Sequence, residues 1–457
     1  MALNTALDLS PSHLGVVRGN LSPPGSLEEC NRLLYKNHET YHMFFREIAG
    51  MNHISHSLLT CFALGADIQE LRDRYQDEAA GQRPMPPVNA DLLDKLDDPA
   101  VFLQTMYVKK EYNTFLHFFE RRIAAAGAGG WRKVVHEFVF SRSEIAERMF
   151  SSMFDGLYHP LIHLGLGIEF DLPGIVAEAL AQAAANDDSD LHRLFSMCEE
   201  EAAKQAVPLG ADSKKASMLE LLDAMRNTDE IRTAPLWSDM GLKMRSGVVG
   251  RAGDAFAAVA GRFRVSTEDE DELLERTAEM ISTCAHMCGG GQHAGRKTKI
   301  DFFWMHSVTS SIFMSVLAAQ KDWISLPDRA RLLEYKVRTD LAWYVASGSV
   351  PLDAKYVTNY ANPESDGWSW EDIFSAVVKQ HDDGHAAKFM RAVKNGEIVC
   401  QQYETRTEST DRFPVRGDMW LKLARMCHDT TKNMEIDLKW VRFTGYDEAW
   451  RRPDLLN

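Results

Sequence analysis

The chain lacks several features that would assign it quickly to a functional class. Basic residues are outnumbered, since 51 Lys and Arg face 66 Asp and Glu and give a net charge of −15. Nucleic acid phosphates repel such a surface, so no nucleic-acid partner is expected. No apolar run approaches the roughly 20 residues of a membrane span, and the start, MALNTALDLSPSHLG, lacks the basic and apolar regions of a secretory signal. The sequence therefore predicts a cytoplasmic protein that contacts no membrane.

Cysteine is also scarce. Seven cysteines in 457 residues, odd in number and irregular in spacing, do not suit a disulfide framework, so free thiols are expected. Cys284, His286 and Cys288 lie too close together on one helix for a zinc site and have no second ligand pair. We assign them to the core.

The common cofactor and hydrolase motifs are absent as well. The chain contains neither a GxGxxG following a strand nor a GxxxxGK[ST] loop, and it lacks GxSxG and HExxH. A Rossmann dinucleotide site, a P-loop and the commonest hydrolase sites therefore cannot be argued from it. No nucleotide-binding residues are predicted.

Strand-like alternation is rare, whereas helical spacing of apolar residues is frequent. The first stretch is rich in proline and glycine, which predicts an extended N-terminal arm over residues 1–25. Residues 26–457 are predicted to form a single irregular all-α domain with a buried histidine-rich site between its helices. Helical patterns begin at Leu27 and recur at 91–96, 100–126, 131–154, 175–185, 189–205, 215–225, 268–287, 303–319, 327–345, 370–393 and 418–432.

Histidine is plentiful, with 16 residues, and several of them stand three or four positions apart. At those spacings two side chains share one face of a helix and can grip one ion. The alternative for each pair is two histidines that are satisfied without a metal. The pairs are His38 with His42, His53 with His56, His159 with His163, and His381 with His385.

Two of these pairs adjoin apolar sequence and are expected inside the protein. The run SLLTCFALGA follows His56 at once, and a buried imidazole needs a partner. That partner is a metal or a backbone carbonyl, and the residues leave both open. Pro160 suits the first turn of a helix, which would make His159 and His163 face one point.

His306 is the only ionisable residue after Asp301 in the apolar segment DFFWMHSVTSSIFM. A lone histidine in such a helix is usually a hydrogen-bonded core residue. Together with the buried pairs, His306 becomes a candidate for the third arm of a site.

The segment KQHDDGHAAKFMRA combines charge with histidine. If it is helical, His381, His385 and Lys388 share one face, and Asp382 lies three positions before His385. The alternative is a solvated charged face. Gly384 inside a helix costs about 1 kcal/mol relative to Ala, and that cost favours a site over a plain surface helix.

The four segments together resemble the questin oxidase-like family of fungal secondary-metabolite enzymes. They are NHISHSLLTCFALGA, YHPLIHLGLGIEF, DFFWMHSVTSSIFM and HDDGHAAKFMRA, in this order over residues 52–392. HPLIHLGLG and DDGHxxK are unusual within otherwise plain helices, so the motifs are specific as a set. The family is associated with oxidative ring opening of anthraquinones, by a Baeyer–Villiger-like or a dioxygenase step. Some members are described as requiring NADPH, for which this chain shows no fingerprint.

The resemblance implies a non-heme Fe(II) centre with four histidine ligands. Iron suits an imidazole-rich site, and one open position would admit O₂ or substrate. Relatives tend to carry a further histidine at the position where this chain has Ser57. The ligands that the resemblance implies are His56, His159, His163 and His306.

Lys388 is the residue that the resemblance suggests as an anionic ligand. An ammonium group has no lone pair at pH 7, but burial would lower its pKa and let the amine add CO₂, giving a carbamate that binds iron through oxygen. Lys379 is a weaker fallback, because nine residues would place it about 180° around the same helix. The residues then expected to orient ligands or transfer protons are His53, His381, His385 and Asp382.

The predicted function is an oxygenase that uses O₂ to cleave a ring carbon–carbon bond of an anthraquinone-type polyketide. Tyr158, Phe302, Phe303 and Trp304 are candidates for a flat apolar pocket, with plain core packing as the alternative. Two other functions stay open. One is a metal-dependent hydrolase built on His, Asp and carbamylated Lys, and the other is a non-catalytic helical scaffold.

Overall fold

The computed structural model describes residues 7–47, 50–206, 215–405 and 412–456. Within those ranges β-pairing is limited to four isolated bridges, and helices make up the regular structure. The all-α prediction is therefore confirmed. The α-helices of the described residues are α1 (Ser26–Thr40), α2 (Ile54–Ala63), α3 (Ile68–Ala79), α4 (Ala90–Leu93), α5 (Pro99–Thr105), α6 (Tyr112–Ala126), α7 (Trp131–Val135), α8 (Glu144–Ser152), α9 (Asp155–Glu169), α10 (Pro173–Ala185), α11 (Leu191–Ala206), α12 (Met218–Asn227), α13 (Asp229–Arg232), α14 (Gly250–Ala260), α15 (Glu270–Gly290), α16 (Phe302–Ala318), α17 (Leu326–Ala346), α18 (Lys355–Thr358), α19 (Trp370–Val377), α20 (His385–Glu404) and α21 (Met419–Thr431).

Contacts between residues divide the chain into two compact units. Unit 1 comprises Met1–Asp188, Ala319–Ile324 and Trp370–Arg391, and unit 2 comprises Ser189–Ala318, Ser325–Ser369 and Ala392–Asn457. Unit 1 therefore holds α1 to α10, α19 and the start of α20. The prediction of one domain over residues 26–457 stays a prediction, since such units can belong to one domain.

Helix α10 lies at the centre of unit 1. Its residues are mostly alanine with a few larger aliphatic side chains, and every residue from Gly174 to Ala185 is buried. The helix packs against α6 and α9. A Cβ atom at Gly167 of α9 would lie only 2.8 Å from Cγ2 of Val176, so glycine there permits the close approach. These small residues bring α9, with its two histidines, directly against α10.

The first turn of α9 is left-handed. Gly156, Leu157 and Tyr158 have φ angles of 56°, 60° and 63°, and the right-handed helix follows them. Residues with a Cβ atom pay roughly 1–2 kcal/mol each in this conformation. Pro160 lies in the first right-handed turn, as the sequence indicated. The strained turn thus immediately precedes His159.

The described part of the N-terminal arm, residues 7–25, contains no helix, and Leu7, Leu9 and Val17 are buried. A buried ion pair anchors it: Arg391 donates to the carbonyl of Val17 at 3.1 Å and to Glu169 at 3.0 Å. The backbone N–H of Val16 donates to Glu169 at 2.6 Å. The arm is therefore tied to α9 and to the start of α20.

Three predicted helices are broken in the structure. The pattern over 100–126 is interrupted after α5, where Tyr107 has φ 69°, and the pattern over 131–154 is interrupted at Arg142, with φ 65°. The pattern over 370–393 is split between α19 and α20, with φ 81° at Gly384. Right-handed helix cannot pass through these conformations, and apolar spacing alone does not reveal them.

The third break corrects the expected helix face around Gly384. His381 and Lys379 precede α20 and do not share a helix with His385 and Lys388. Gly384 is therefore not a helix-interior glycine. It takes a positive φ before the first turn, and a Cβ atom there would lie 3.1 Å from Cβ of Ser57.

The structure also bears on two absences noted in the sequence. All seven cysteines are free and buried, as expected, including Cys284 and Cys288 in α15. None of the described helices is both long and apolar enough to cross a membrane.

Candidate metal centre

Three buried histidines of unit 1 bring ring nitrogens together. His53 immediately precedes α2, His159 follows the left-handed turn of α9, and His385 begins α20. One nitrogen from each lies within 4.8 Å of the other two. Nε2 of His53 is 2.5 Å from Nε2 of His159, and the rings of His53 and His385 are 4.6 Å apart. Three converging imidazoles fit a transition-metal ion, and we call them the histidine triad.

Hydrogen bonds fix which nitrogen of two triad members carries a lone pair. Nδ1 of His159 is 2.5 Å from the carbonyl oxygen of Gly156, which only accepts, so Nδ1–H is the donor. Nδ1 of His385 is 2.7 Å from the carboxylate of Asp383 and donates likewise. In neutral rings both lone pairs then reside on Nε2. Partners of this kind orient metal-binding histidines in other proteins.

Burial keeps the rings of His53 and His159 neutral. It lowers the pKa of His53 and of His159 well below 6.5, and the charge of Lys388 lowers both further. The pKa of His56 falls for the same two reasons. At neutral pH the rings therefore keep lone pairs available for a metal ion.

Behind the triad, a chain of hydrogen bonds runs from His56 through four further side chains. Nε2 of His56 is 2.9 Å from Nδ1 of His163, and Nε2 of His163 is 2.6 Å from Glu178. The other oxygen of Glu178 is 2.6 Å from Nδ1 of His38, whose Nε2 is 3.0 Å from Glu120. Because a carboxylate accepts, His163 presents its Nδ1 lone pair to N–H of His56.

Opposite charges stabilise the far end of this chain. Burial alone would lower the pKa of His38, but the hydrogen bonds to Glu120 and Glu178 outweigh it and raise that pKa to about 10. Burial would raise the pKa of Glu178, but its hydrogen bonds to His163 and His38 lower it to about 2. At neutral pH, His38 is a cation beside the Glu178 anion.

Lys388 lies at the opposite end of the chain and is buried. Its Nζ is 3.4 Å from Nδ1 of His56. Burial lowers the pKa of Lys388 to about 8, although the carboxylates of Asp383, Glu78 and Asp382 oppose that effect. Burial also raises the pKa of Glu78 well above its ordinary value, and the charge of Asp383 adds to the rise. Part of the Lys388 amine is therefore neutral at physiological pH.

Two predicted residues of the last segment have other partners. His381 is exposed, and its Nδ1 lies 2.6 Å from the carboxylate of Asp77. Asp382 is buried and accepts the backbone N–H of Ala386 at 2.8 Å, so it caps the first turn of α20. Lys379 lies in the turn between α19 and α20.

His306 lies in unit 2, as do Phe302, Phe303 and Trp304, the three predicted pocket aromatics that precede it. Its Nδ1 is 2.7 Å from the carbonyl of Phe302. Phe303 stacks on Trp343 and Phe443, with ring centroids 4.8 and 4.3 Å away, and Trp304 is fully buried. Within unit 2, Trp304 packs in the core, whereas Phe302 and Phe303 are half-buried.

The structure thus brings His53, His56, His159, His163, His385 and Lys388 together in unit 1. Three carboxylates that position these groups were not among the residues predicted from the sequence, namely Glu78, Glu178 and Asp383. One signal for Glu178 was available. It and Gln182 are the only polar side chains in the otherwise apolar helix α10, and charge at a core position demands a partner.

Comparisons with known proteins place the chain in a family. The family model for questin oxidase-like proteins matches residues 51–393, which include every residue of the cluster. The chain belongs to the questin oxidase-like family. The resemblance drawn from the four sequence segments is confirmed.

Individual relatives are similar over nearly their full length. The chain is 55% identical to the Baeyer-Villiger monooxygenase dmxR6 of Cryptosporiopsis sp., covering 99% of both chains. It is 52% identical to the Baeyer-Villiger oxidase AgnL3 of Paecilomyces divaricatus, covering 100% of this chain and 97% of the relative. It is 41% identical to the questin oxidase of Aspergillus fumigatus, covering 98% and 99%. The chain is an oxidoreductase, as predicted, and the hydrolase and scaffold alternatives are set aside.

Proposed function

We propose that the protein is a non-heme Fe(II) oxygenase that cleaves a ring carbon–carbon bond of an anthraquinone-type polyketide in fungal secondary metabolism. The observation that carries this proposal is the histidine triad, three buried imidazoles with nitrogens within 4.8 Å of one another. The names of the relatives supply the reaction class, an oxygen insertion of the Baeyer–Villiger type. O₂ is the proposed co-substrate.

His53, His159 and His385 would hold the metal in this proposal. A bound iron would supply one-electron chemistry with O₂, which no amino-acid side chain of the site provides. His159 contributes Nε2 because Gly156 holds its other nitrogen, and His385 does so because of Asp383. The burial of all three rings keeps bulk water from the reacting groups.

The ligand set implied by the resemblance, His56, His159, His163 and His306, stays a prediction. It shares His159 with the triad. The ring nitrogens of His56 face His163 and Lys388, which favours a supporting role for His56. The lowered pKa of Lys388 supports the carbamate hypothesis, since only the neutral amine adds CO₂.

The reaction inserts one oxygen atom between a ring carbonyl carbon and its neighbour, so one carbon–carbon bond is replaced by two carbon–oxygen bonds. If the second oxygen atom leaves as water, the step needs two electrons from a reductant of the NADPH class and two protons. If both atoms enter the product, no external electrons are needed. His381 and Asp382 stay candidates for proton transfer, although their partners favour structural roles.

The test is O₂ uptake by the purified protein, reconstituted with Fe(II) and supplied with a hydroxyanthraquinone, with and without NADPH. We expect uptake that depends on iron and on the quinone, together with a product heavier by one or two oxygen atoms. Labelling with ¹⁸O₂ separates the two stoichiometries. Uptake that persists in the His159→Ala variant would sink the proposal that the triad is the reaction centre.

A further inference from the structure

Three polar side chains follow one another along a single face of the α9–α10 contact. Glu178 and Gln182 lie within α10, and Asn186 directly follows its last residue. The spacing of four residues turns the direction of the side chain by only about 40° each time. All other side chains from Ile175 to Ala185 are apolar. The stripe is therefore an exception within a buried helix.

Only the first member of the stripe has partners for its side chain. Glu178 accepts from His163 and from His38. Neither Nε2 nor Oε1 of Gln182, and neither Nδ2 nor Oδ1 of Asn186, makes a hydrogen bond within the described part of the chain. Gln182 is 0% exposed and Asn186 is 1% exposed, so bulk water does not serve them. Such burial is costly unless a further molecule satisfies the amides.

The register of the two helices locates the unpaired amides beside the triad. Gly167 lies against Val176, His163 binds Glu178, and Gly156 lies against Asn186, so α9 and α10 run antiparallel. Gln182 is halfway between Glu178 and Asn186. At the same height on α9, halfway between His163 and Gly156, lies His159. Along the α9–α10 pair, Gln182 is thus level with His159, a member of the histidine triad.

We propose that Gln182 and Asn186 are the polar contacts that recognise the carbonyl and hydroxyl oxygens of the substrate. The inference rests on the proposed function and deepens it, because it assigns specificity to two residues outside the triad. Each amide offers N–H to a ring carbonyl and C=O to a phenolic hydroxyl. A hydroxyquinone presents both kinds of group side by side on one edge.

The chemistry of the two amides favours a neutral ligand. Gln182 and Asn186 carry no charge, and the Glu178 anion is already paired with His38. Uncharged amide groups pair well with quinone carbonyls and phenolic hydroxyls, whereas a carboxylate or phosphate group would find no cationic partner in the stripe.

The experiment compares wild type with the near-isosteric variants Gln182→Met and Asn186→Leu. Two probes are used, peri-dihydroxyanthraquinone, whose hydroxyl groups flank a ring carbonyl, and unsubstituted anthraquinone. Binding is measured by fluorescence quenching with the iron-loaded protein under nitrogen, so that no turnover is required. We expect each variant to weaken binding of the dihydroxy probe by about tenfold and to bind the unsubstituted probe within about twofold of wild type.

Stability supplies an independent readout. Removing an unsatisfied buried amide relieves its cost, so both variants should unfold at a higher urea concentration than wild type. The matched control is Asn37→Leu, because Asn37 donates to Ser55 at 3.1 Å and accepts from Asn52 at 2.8 Å. That variant should unfold at a lower urea concentration.

Two results would overturn the inference. If Gln182→Met and Asn186→Leu bind the dihydroxy probe as tightly as wild type, ordered water rather than substrate serves the amides. Equal weakening for both probes would show that the variants disturb packing and not recognition. Binding is measured without turnover. If the wild-type protein binds the dihydroxy probe but cleaves no ring, that result counts against the proposed function and not against recognition by Gln182 and Asn186.

Discussion

Nε2 of His53 and Nε2 of His159 lie 2.5 Å apart, although the two residues are separated by 106 positions in the chain. The second nitrogen of His159 donates to the carbonyl of Gly156, so its lone pair is directed at His53. Two imidazole nitrogens in this relationship share either a proton or a metal ion. His385, the third member, favours the metal.

Metal content distinguishes the triad from the ligand set implied by the resemblance. His53→Ala, His159→Ala and His385→Ala should each lose bound iron, of which wild type should hold about one per chain. His306→Ala should retain it, as should His428→Ala, a control at another buried histidine of unit 2. Plasma mass spectrometry on protein purified without chelators makes the measurement. Loss of iron in His306→Ala with retention in His385→Ala would favour the other set.

Asp383 and Asp382 are adjacent carboxylates with different predicted effects. Asp383→Ala removes the acceptor of Nδ1–H of His385, and we expect metal affinity to fall by about 10- to 100-fold. Asp382→Ala removes the cap on Ala386, which should lower the free energy of unfolding by about 1 kcal/mol and leave metal affinity unchanged. Competition with a metal-binding dye measures affinity. Equal losses of metal affinity in the two variants would contradict the different roles assigned to Asp383 and Asp382.

The carbamate hypothesis for Lys388 predicts an order among three substitutions. Lys388→Glu keeps an anionic oxygen ligand and should partly preserve iron binding, whereas Lys388→Met should not. Lys388→Arg is the control, since it keeps the cation but does not add CO₂. Isotope-filtered NMR with ¹³CO₂ should detect a carbamate signal in wild type that all three variants lack. Full iron occupancy in Lys388→Met would refute the hypothesis.

His38→Gln should destabilise the protein in a pH-dependent manner. The pKa of His38 is raised from 6.5 to about 10, so its contribution is fully present below pH 6.5 and lost as pH rises through about 10. Removing one partner of a buried ion pair costs about 3 kcal/mol. Urea unfolding should therefore separate wild type from the variant at pH 6 and bring them closer above pH 10.

The control for this prediction is His42→Gln. Burial lowers the pKa of His42 to about 4, and the charge of Arg83 adds to the effect, so His42 stays neutral across the tested range. Between pH 8 and 10 His42 is neutral in both the folded and the unfolded chain, so the difference in unfolding free energy between His42→Gln and wild type should stay constant there. At pH 6 the unfolded imidazole takes up a proton, which lowers the stability of wild type by about 1 kcal/mol. If the difference in unfolding free energy between His38→Gln and wild type also stays constant from pH 8 to above pH 10, His38 is not charged in the folded protein.

The sequence predicted the helical class and the segments of the site, but not the membership of the triad. Helical spacing treats His53 and His56 as equivalent, because it assumes that one helix carries both. In the structure His53 precedes α2 and α2 carries His56, so their rings face different partners. The difference arises from where the helix begins, and no residue near His53 marks that position strongly.

Gly384 is a residue whose link to the site was predicted from the sequence, but for a different structural reason. The sequence identified this glycine as costly inside a helix and associated it with a site, and Gly384 does adjoin His385. The reason is a positive φ beside Ser57 rather than a close approach within a helix. The sign of the φ angle at Gly384 and the pairing of distant carboxylates such as Glu178 depend on tertiary contacts. Local sequence patterns do not contain that information.

The contacts that hold the N-terminal arm and the site join residues far apart in the chain, and this affects when they form during synthesis. Arg391 binds the carbonyl of Val17 across 374 positions, and Lys388 meets His56 across 332. The ribosome must therefore release most of the chain before the first helices find their last partners. Until then His53 and His159 lack His385, the third member of the triad. Contacts between residues this far apart in sequence also slow folding. The histidine triad is therefore complete only after residue 385 has left the ribosome, late in the synthesis of the chain.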